Sequence, residues 1–389
     1  MKAVKLKEGI YWVGSIDWDL RNFHGYLTQR GSTYNAYLLI DEKITLIDTV
    51  KHYCYDEMME RISSVIDPLK INYVISNHVE MDHSGSLIKL TELLPQATVI
   101  TSPNGKKGLL RHFKKDLNWK EVKSGEELSI GRWNLLFQLM PMVHWPDSMA
   151  TYLKEEKILF PNDAFGQHVS SYERFDDEVI SEIILEEAKK YYANIVLPFG
   201  SQVQKALAVL SQLEIEMIAP SHGIIWRSHI AEILAKYVKW SNNETAEKAL
   251  VIYDTMWEST EKIALAIYKA FEDSDIKAKM VNLQHSHISD VMTELIDTKY
   301  ICVGSPTLNN NMLPTVAAFL TYMKGLAPKQ DRVGLAFGSY GWGGQSIAQV
   351  EDFLKECGFA LPLESIKVNY IPDEQELLDI TNKVKAVLK

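Results

Sequence analysis

The sequence predicts an α/β chain in two parts, a mixed strand-and-helix region at 1–248 followed by a doubly wound parallel sheet at 249–389. Two observations carry that expectation. In the first part, short apolar runs ending in polar or turn-forming residues recur in no regular order. From residue 248 onward, strand-like and helix-like runs alternate strictly, five of each, and parallel neighbours joined by crossover helices are the arrangement that such alternation needs. The polar stretch Ser241-Asn-Asn-Glu-Thr precedes the first of those strands, so the domain boundary is placed at about residue 248. A chain of 389 residues is long enough for two or three domains, each with its own core.

Taken in order, residues 34–40, 44–48 and 71–76 read as buried strands, and 97–101, 134–140 and 157–160 repeat the pattern. A helix is expected over 230–239. In the second part the strands are expected at 248–254, 277–283, 300–304, 332–338 and 366–370. The helices fall at 262–272, 291–296, 316–324, 347–357 and 374–388.

Composition narrows the function. The chain is 46% hydrophobic and 24% charged, with no apolar run long enough to cross a bilayer. The N-terminus lacks the apolar core of a secretory signal, so a cytoplasmic location is expected. A formal net charge of −10 disfavours binding to nucleic acid phosphates or anionic lipid. Cys54, Cys302 and Cys357 are widely separated and form no C-x-x-C pair, which argues against a disulfide framework, a rubredoxin site or an iron–sulfur cluster. Any metal must therefore be held by histidine and carboxylate.

Behind the strand ending at Ser76, a loop places His78, Glu80, Asp82 and His83 within six residues. Three further candidates stand beside strands: His144 in Val-His-Trp-Pro-Asp-Ser, Asp163 in Pro-Asn-Asp-Ala-Phe, and His222 in Pro-Ser-His-Gly. Together they offer four imidazoles and three carboxylates. An oxygen-rich, thiolate-free set shifts preference toward iron or manganese, and zinc still fits the ligand types.

In the second part the first strand runs into Thr255-Met256-Trp257-Glu258-Ser259-Thr260, at a helix start where hydroxyls and backbone N–H groups form an anion site. Read alone, Ser or Thr at such a start is an ordinary N-cap. Two more loops lie at the same sheet edge, Ser305-Pro306-Thr307-Leu308-Asn309 and Ser339-Tyr340-Gly341-Trp342-Gly343. Ligands in such sheets bind beyond the carboxyl ends of the strands. Glycines allow close approach to a planar ring, and Tyr340, Trp342 or Trp257 can stack on it. Neither a Walker loop nor a G-x-G-x-x-G is present, against nucleoside triphosphate and NAD.

The order and spacing of the metal motifs resemble the metallo-β-lactamase superfamily, which implies an αββα sandwich for the first part. Glu80 departs from the zinc hydrolases, which usually carry His there, and H-x-E-x-D-H is the form of flavodiiron proteins. The three loops of the second part resemble the FMN loops of flavodoxins. The resemblance to flavodiiron proteins covers essentially the whole chain. It implies that one iron takes His78, Glu80 and His144, that the other takes Asp82, His83 and His222, and that Asp163 bridges them. It further implies that His24, His168 and Tyr192 approach a pocket for a small diatomic.

The activity implied is reduction of O₂ to water, of NO to N₂O, or both, with electrons relayed through FMN. The donor implied is external: rubredoxin, rubredoxin reductase or reduced F420. A head-to-tail homodimer or homotetramer is implied as well, because it brings one chain's flavin to its partner's irons. The rival readings are a zinc metallohydrolase with an accessory flavodoxin domain, which Glu80 disfavours, and an electron carrier whose first domain is structural.

Overall fold

A computed structural model of the chain describes residues 1–328 and 331–388; Lys329, Gln330 and Lys389, within the expected second domain, lie outside them. The chain forms two compact units. The first comprises Met1–His24, Thr28–Tyr191 and Ser201–Val238, and the second Gly25–Leu27, Tyr192–Gly200 and Lys239–Lys389. Among the described residues, no helix is long and apolar enough to cross a membrane.

The first unit is built on two sheets. One has seven strands, in the order Val4–Lys7, Ile10–Trp12, Tyr37–Leu39, Thr45–Ile47, Tyr73–Ser76, Thr98–Thr101 and Trp119–Glu121. The other has five, in the order Glu127–Ser129, Asn134–Leu139, Met149–Leu153, Ile158–Phe160 and Met217–Ile218. Period-two alternation decides which side chains face which layer. Tyr37, Leu39, Ile47, Ile75 and Ile100 of the first sheet share one core with Leu135, Phe137, Met149, Ile158 and Phe160 of the second. Their neighbours Leu38, Leu46, Val74 and Val99 point the other way, onto Met58, Ile62, Leu87, Leu90 and Leu109 of the covering helices.

The second unit carries a five-stranded parallel sheet. Its order is Lys277–Asn282, Ala246–Tyr253, Thr298–Gly304, Val333–Tyr340 and Ile366–Asn369, so the second strand in sequence lies at one edge and the first lies beside it. The order reverses at the first strand, which places a topological switch point between it and the third. The five expected helices occur as Ser259–Glu272, Ile288–Leu295, Pro314–Leu326, Gln345–Glu356 and Glu374–Val387. The last is started by a reciprocal capping box between Asp373 and Glu376.

Candidate metal centre and flavin cavity

Strand ends place the metal-ligating candidates. His78 and Glu80 lie in the connection leaving Tyr73–Ser76, and Asp82 and His83 lie in the short helix Met81–Ser84 that follows. His144 falls between Asn134–Leu139 and Met149–Leu153, Asp163 just after Ile158–Phe160, and His222 just after Met217–Ile218. Asp48 ties two of these segments together. It accepts hydrogen bonds from Asn77 N (2.8 Å) and Nδ2 (3.1 Å), next to His78, and from Asn162 Nδ2 (3.2 Å), next to Asp163.

The seven side chains are buried and divide into two groups, His78, Glu80, His144 and Asp163 on one side and Asp82, His83 and His222 on the other. Within each group the candidate ligand atoms lie within 4.8 Å of one another. Asp163 faces both. Its Oδ2 is 3.3 Å from His144 Nε2 and 3.5 Å from His78 Nε2, while its Oδ1 is 2.9 Å from His83 Nε2 and 3.5 Å from His222 Nε2. Glu80 Oε2 stands 3.3 Å from His78 Nε2 and 3.4 Å from His144 Nε2, and Asp82 Oδ2 stands 3.1 Å from His222 Nε2.

Both carboxylate oxygens of Asp82 and Asp163, and Nε2 of His83, His144 and His222, are buried without an aligned hydrogen bond. Buried polar atoms in that state are costly, and seven of them aimed at two points are satisfied together by two cations. The residues fit a dinuclear metal centre.

Charge keeps the carboxylates ionised despite burial. Burial opposes ionisation of Glu80, but His144, His24 and His78 overcome it and hold the carboxyl well below its ordinary range. Burial likewise opposes ionisation of Asp163, and His83, His144 and His78 reverse it. On His83 burial acts downward, yet Asp82 and Asp163 push it up to about 9.

For His78 and His222, the ring nitrogen pointing away from the centre is anchored. His78 Nδ1 is 2.9 Å from Asp147 Oδ2, which also accepts from Val79 N at 2.8 Å. His222 Nδ1 donates to the carbonyl of Thr33 at 2.8 Å. These partners direct Nε2 inward and set the tautomer, as outer partners of metal-bound histidines do. Asp147 was not among the residues singled out from sequence, although it stands three positions after His144 in the same motif; an acid beside a ligand histidine is the signal that could have found it.

The three candidates around the centre fare differently. His24 Nε2 is 2.6 Å from Glu80 Oε1, with its side chain 62% exposed. His168 is fully buried, its Nδ1 is 2.7 Å from Ser32 Oγ, and its ring lies 4.7 Å from that of His222. Burial and the neighbouring His222 hold it well below its ordinary pKa, as a neutral imidazole. Tyr192 packs on Trp240 (ring centroids 5.3 Å), whereas Tyr191 packs on His168 (5.2 Å) and His222 (6.0 Å). Tyr191 is thus in contact with the histidine cluster. One residue along a helix turns a side chain by about 100°, and a tyrosine pair read from sequence does not say which member faces inward.

In the second unit the three loops meet at the carboxyl edge of the sheet around a cavity of about 250 Å³, lined in part by Met256, Trp257, Ser259, Pro306, Thr307 and Tyr340. Ser339 and Gly341 complete the predicted part of the wall, and Tyr370 and Ile371, from beyond the fifth strand, are additions. Thr255, Glu258, Thr260, Ser305, Leu308, Asn309, Trp342 and Gly343 stand on the same loops but outside the wall. Thr260 Oγ1 is 3.1 Å from Ser339 Oγ, and Thr307 Oγ1 is 2.8 Å from Ser346 Oγ, so hydroxyls tie the loops together. A Cβ at Gly338 would lie 2.0 Å from the Ser305 carbonyl, so only glycine lets the third and fourth strand ends approach this closely. Trp257 and Trp342 are 87% and 89% exposed at the rim. A helix N-terminus beside hydroxyls, with an apolar slot flanked by aromatics, fits a phosphorylated planar cofactor.

A sandwich holding a two-metal ligand set, followed by a doubly wound sheet with a flavin-type cavity, defines a two-domain metalloflavoprotein oxidoreductase. Comparisons agree. The ODP family beta lactamase matches residues 33–223 and the flavodoxin family residues 251–381. The chain is 42% identical to a nitric oxide reductase of Moorella thermoacetica, covering 99% of this chain and 98% of that one. It superposes on the rubredoxin oxygen:oxidoreductase from Desulfovibrio gigas with a TM-score of 0.96 at 40% identity, covering 100% and 98% of the two chains. For the flavodiiron protein from Giardia intestinalis the TM-score is 0.96 at 34% identity, covering 99% and 96%. The chain belongs to the flavodiiron protein family.

Proposed function

We infer that the protein reduces O₂ to water, NO to N₂O, or both, at two irons, using electrons that arrive through FMN. The observation that carries this reading is the division of Asp163, whose two oxygens face two separate ligand groups, with Glu80 supplying a carboxylate where a hydrolase would have a histidine. When bound, the irons and FMN supply the redox chemistry: four electrons and four protons per O₂ give two waters, or two electrons and two protons per pair of NO give N₂O and water.

The chain's own residues do the rest. His78, Glu80 and His144 would hold one ion and Asp82, His83 and His222 the other, with Asp163, whose two oxygens face the two groups, able to serve both. Asp147 and Thr33 fix the rings of His78 and His222. His24, bonded to Glu80 yet partly exposed, holds an N–H at the approach to the centre. Tyr191 and neutral His168 form a close-packed wall beside His222 that keeps water out. Ser259 would hold the FMN phosphate at the N-terminus of Ser259–Glu272, with Thr260 bonded to Ser339 behind it, and Tyr340 and Trp257 would flank the ring.

The functional division at about residue 248, a head-to-tail homodimer or homotetramer, and an external donor such as rubredoxin, its reductase or reduced F420 complete the reading; they rest on the family likeness. Anaerobic steady-state rates with O₂ and with NO, using one common reductant, test it. Turnover of either substrate that vanishes in His83→Ala supports it; absence of turnover with both, in iron- and FMN-loaded protein, contradicts it.

A further inference from the structure

A second arrangement of side chains runs from the metal centre to the surface of the first unit. The Tyr34 ring meets the His222 ring edge-on, with centroids 5.9 Å apart and planes at 72°. Tyr34 is fully buried, and its hydroxyl donates to Asp17 Oδ2 at 2.9 Å. The Tyr53 hydroxyl donates to the same oxygen at 2.5 Å and lies 3.2 Å from that of Tyr34. Tyr53 is 55% exposed. The Lys51 ammonium sits over both rings, 5.5 and 5.4 Å from their centroids.

Burial first, then the Tyr53 hydroxyl and the Asp17 carboxylate, hold the Tyr34 phenol well above its ordinary pKa, and burial and Asp17 do the same for Tyr53. Both are therefore protonated at neutral pH. A protonated phenol gives up an electron readily only if its proton has somewhere to go, and Asp17 is the base in hydrogen-bond contact with both. A purely structural bond between the Ser15–Asp17 and Ser32–Tyr34 strands needs one phenol on Asp17; the second, at the surface, adds a way out. Tyr191, which also packs against His222, is 1% exposed.

We propose that Tyr34 and Tyr53, sharing Asp17 as base, form a redox pair that carries a one-electron oxidising equivalent from the metal centre to the surface when O₂ arrives and external electrons run short. The proposal rests on the O₂-reducing reading above. In the first step Tyr34 gives up one electron through its edge contact with His222, with O₂ as the oxidant. Its O–H bond breaks and the proton passes to Asp17 Oδ2. In the second step Tyr53 reduces the Tyr34 radical: the proton on Asp17 returns to Tyr34, and the Tyr53 proton replaces it. A soluble thiolate then gives one electron to the Tyr53 radical, becoming a thiyl radical, while Asp17 returns the proton. The net result is one electron moved from thiol to centre, with both phenols restored.

The test uses iron- and FMN-loaded protein containing ring-deuterated or ordinary tyrosine. It is reduced with fewer electrons than O₂ requires, mixed with excess O₂, frozen and examined by electron paramagnetic resonance. The expected result is a radical signal that narrows on deuteration, is lost in Tyr34→Phe, and in the wild type is quenched by added thiol. In Tyr53→Phe, a change at an exposed position that leaves the core intact, the signal should persist and resist thiol. With excess reductant, both variants should consume O₂ at the wild-type rate. A signal insensitive to tyrosine deuteration, or undiminished in Tyr34→Phe, overturns the pair, as does thiol quenching that is unchanged in Tyr53→Phe. Normal O₂ uptake by the wild type with no radical overturns this proposal alone, whereas no O₂ uptake overturns the functional reading beneath it.

Discussion

Replacing Asp163 with alanine removes the one carboxylate that faces both ligand groups, and its consequence is distinct from that of any other ligand. The set contains three carboxylates, Glu80, Asp82 and Asp163, so two ferrous ions carrying four positive charges meet three negative ones. Asp163→Ala leaves two, and would take an oxygen from each ion at once, because Oδ1 faces the His83–His222 side and Oδ2 the His78–His144 side. Loss of an outer partner of a metal ligand costs about 10–100-fold in affinity, and loss of a direct ligand lies at or beyond the top of that range. About 100-fold per ion corresponds to about 2.7 kcal/mol for each of the two. His144→Ala takes a ligand from one group and should cost a similar amount there, leaving Asp82, His83 and His222 nearly as before. The assay is competition with a chromogenic ferrous chelator, with total iron and FMN measured after gel filtration. Asp163→Ala should release both irons early and together, His144→Ala one early and one late, and each should retain FMN. Two irons held by Asp163→Ala at wild-type affinity, or early loss of only one, would refute the bridging role.

Other consequences are tested separately. Asp147→Ala leaves His78 Nδ1 without its partner, so the iron on that side should bind about 10–100-fold more weakly by the same competition, while Asp147→Glu should restore part of it. Stripping the metal should lower the melting temperature of the first unit and leave the flavin unit unmoved. For a ligand at about 1,000 times its Kd the lost stabilisation is about 4 kcal/mol. For a unit of this size that is about 8–16 °C for each of the two ions removed, read by calorimetry against the flavin release temperature. Ser259→Asp with Thr260→Asp places negative charge against the FMN phosphate and should yield flavin-free protein with its iron intact, checked by absorbance and metal analysis. Mixed with His83→Ala, that variant should recover up to about half of wild-type turnover per heterodimer if electrons cross between chains. Verified heterodimers without activity would show that they do not.

How much of this was legible in the sequence depended on how far each signal extended along the chain. The second unit was readable element by element, because its three central strands are largely buried apolar runs and all five strands, of four to eight residues, are separated by helices, so the alternation is regular. The expected helix starts still fell short, since Ser259–Thr260 and Pro314–Thr315 open their helices as polar or proline residues before the apolar pattern begins. In the first unit, strands of three residues such as Ile10–Trp12 and Ser15–Asp17 are too short to show a period, and the sheets had to be inferred from likeness.

The seven converging residues were visible because four of them crowd one six-residue stretch, His78 to His83. Thr33 was not, because a carbonyl that orients a ligand from a distant strand leaves no local pattern, and Asp147 carried only the signal of an acid three positions after His144. Tyr370 and Ile371 follow a surface strand with no motif; only the rule that the cavity lies beyond every carboxyl end would have pointed to them.

Metal and flavin analysis of protein purified after iron-replete expression tests the central claim most directly. The account predicts about two irons and one FMN per chain, with iron falling in step with the Asp163, His83 and His144 substitutions. Stoichiometric zinc with negligible iron would contradict it.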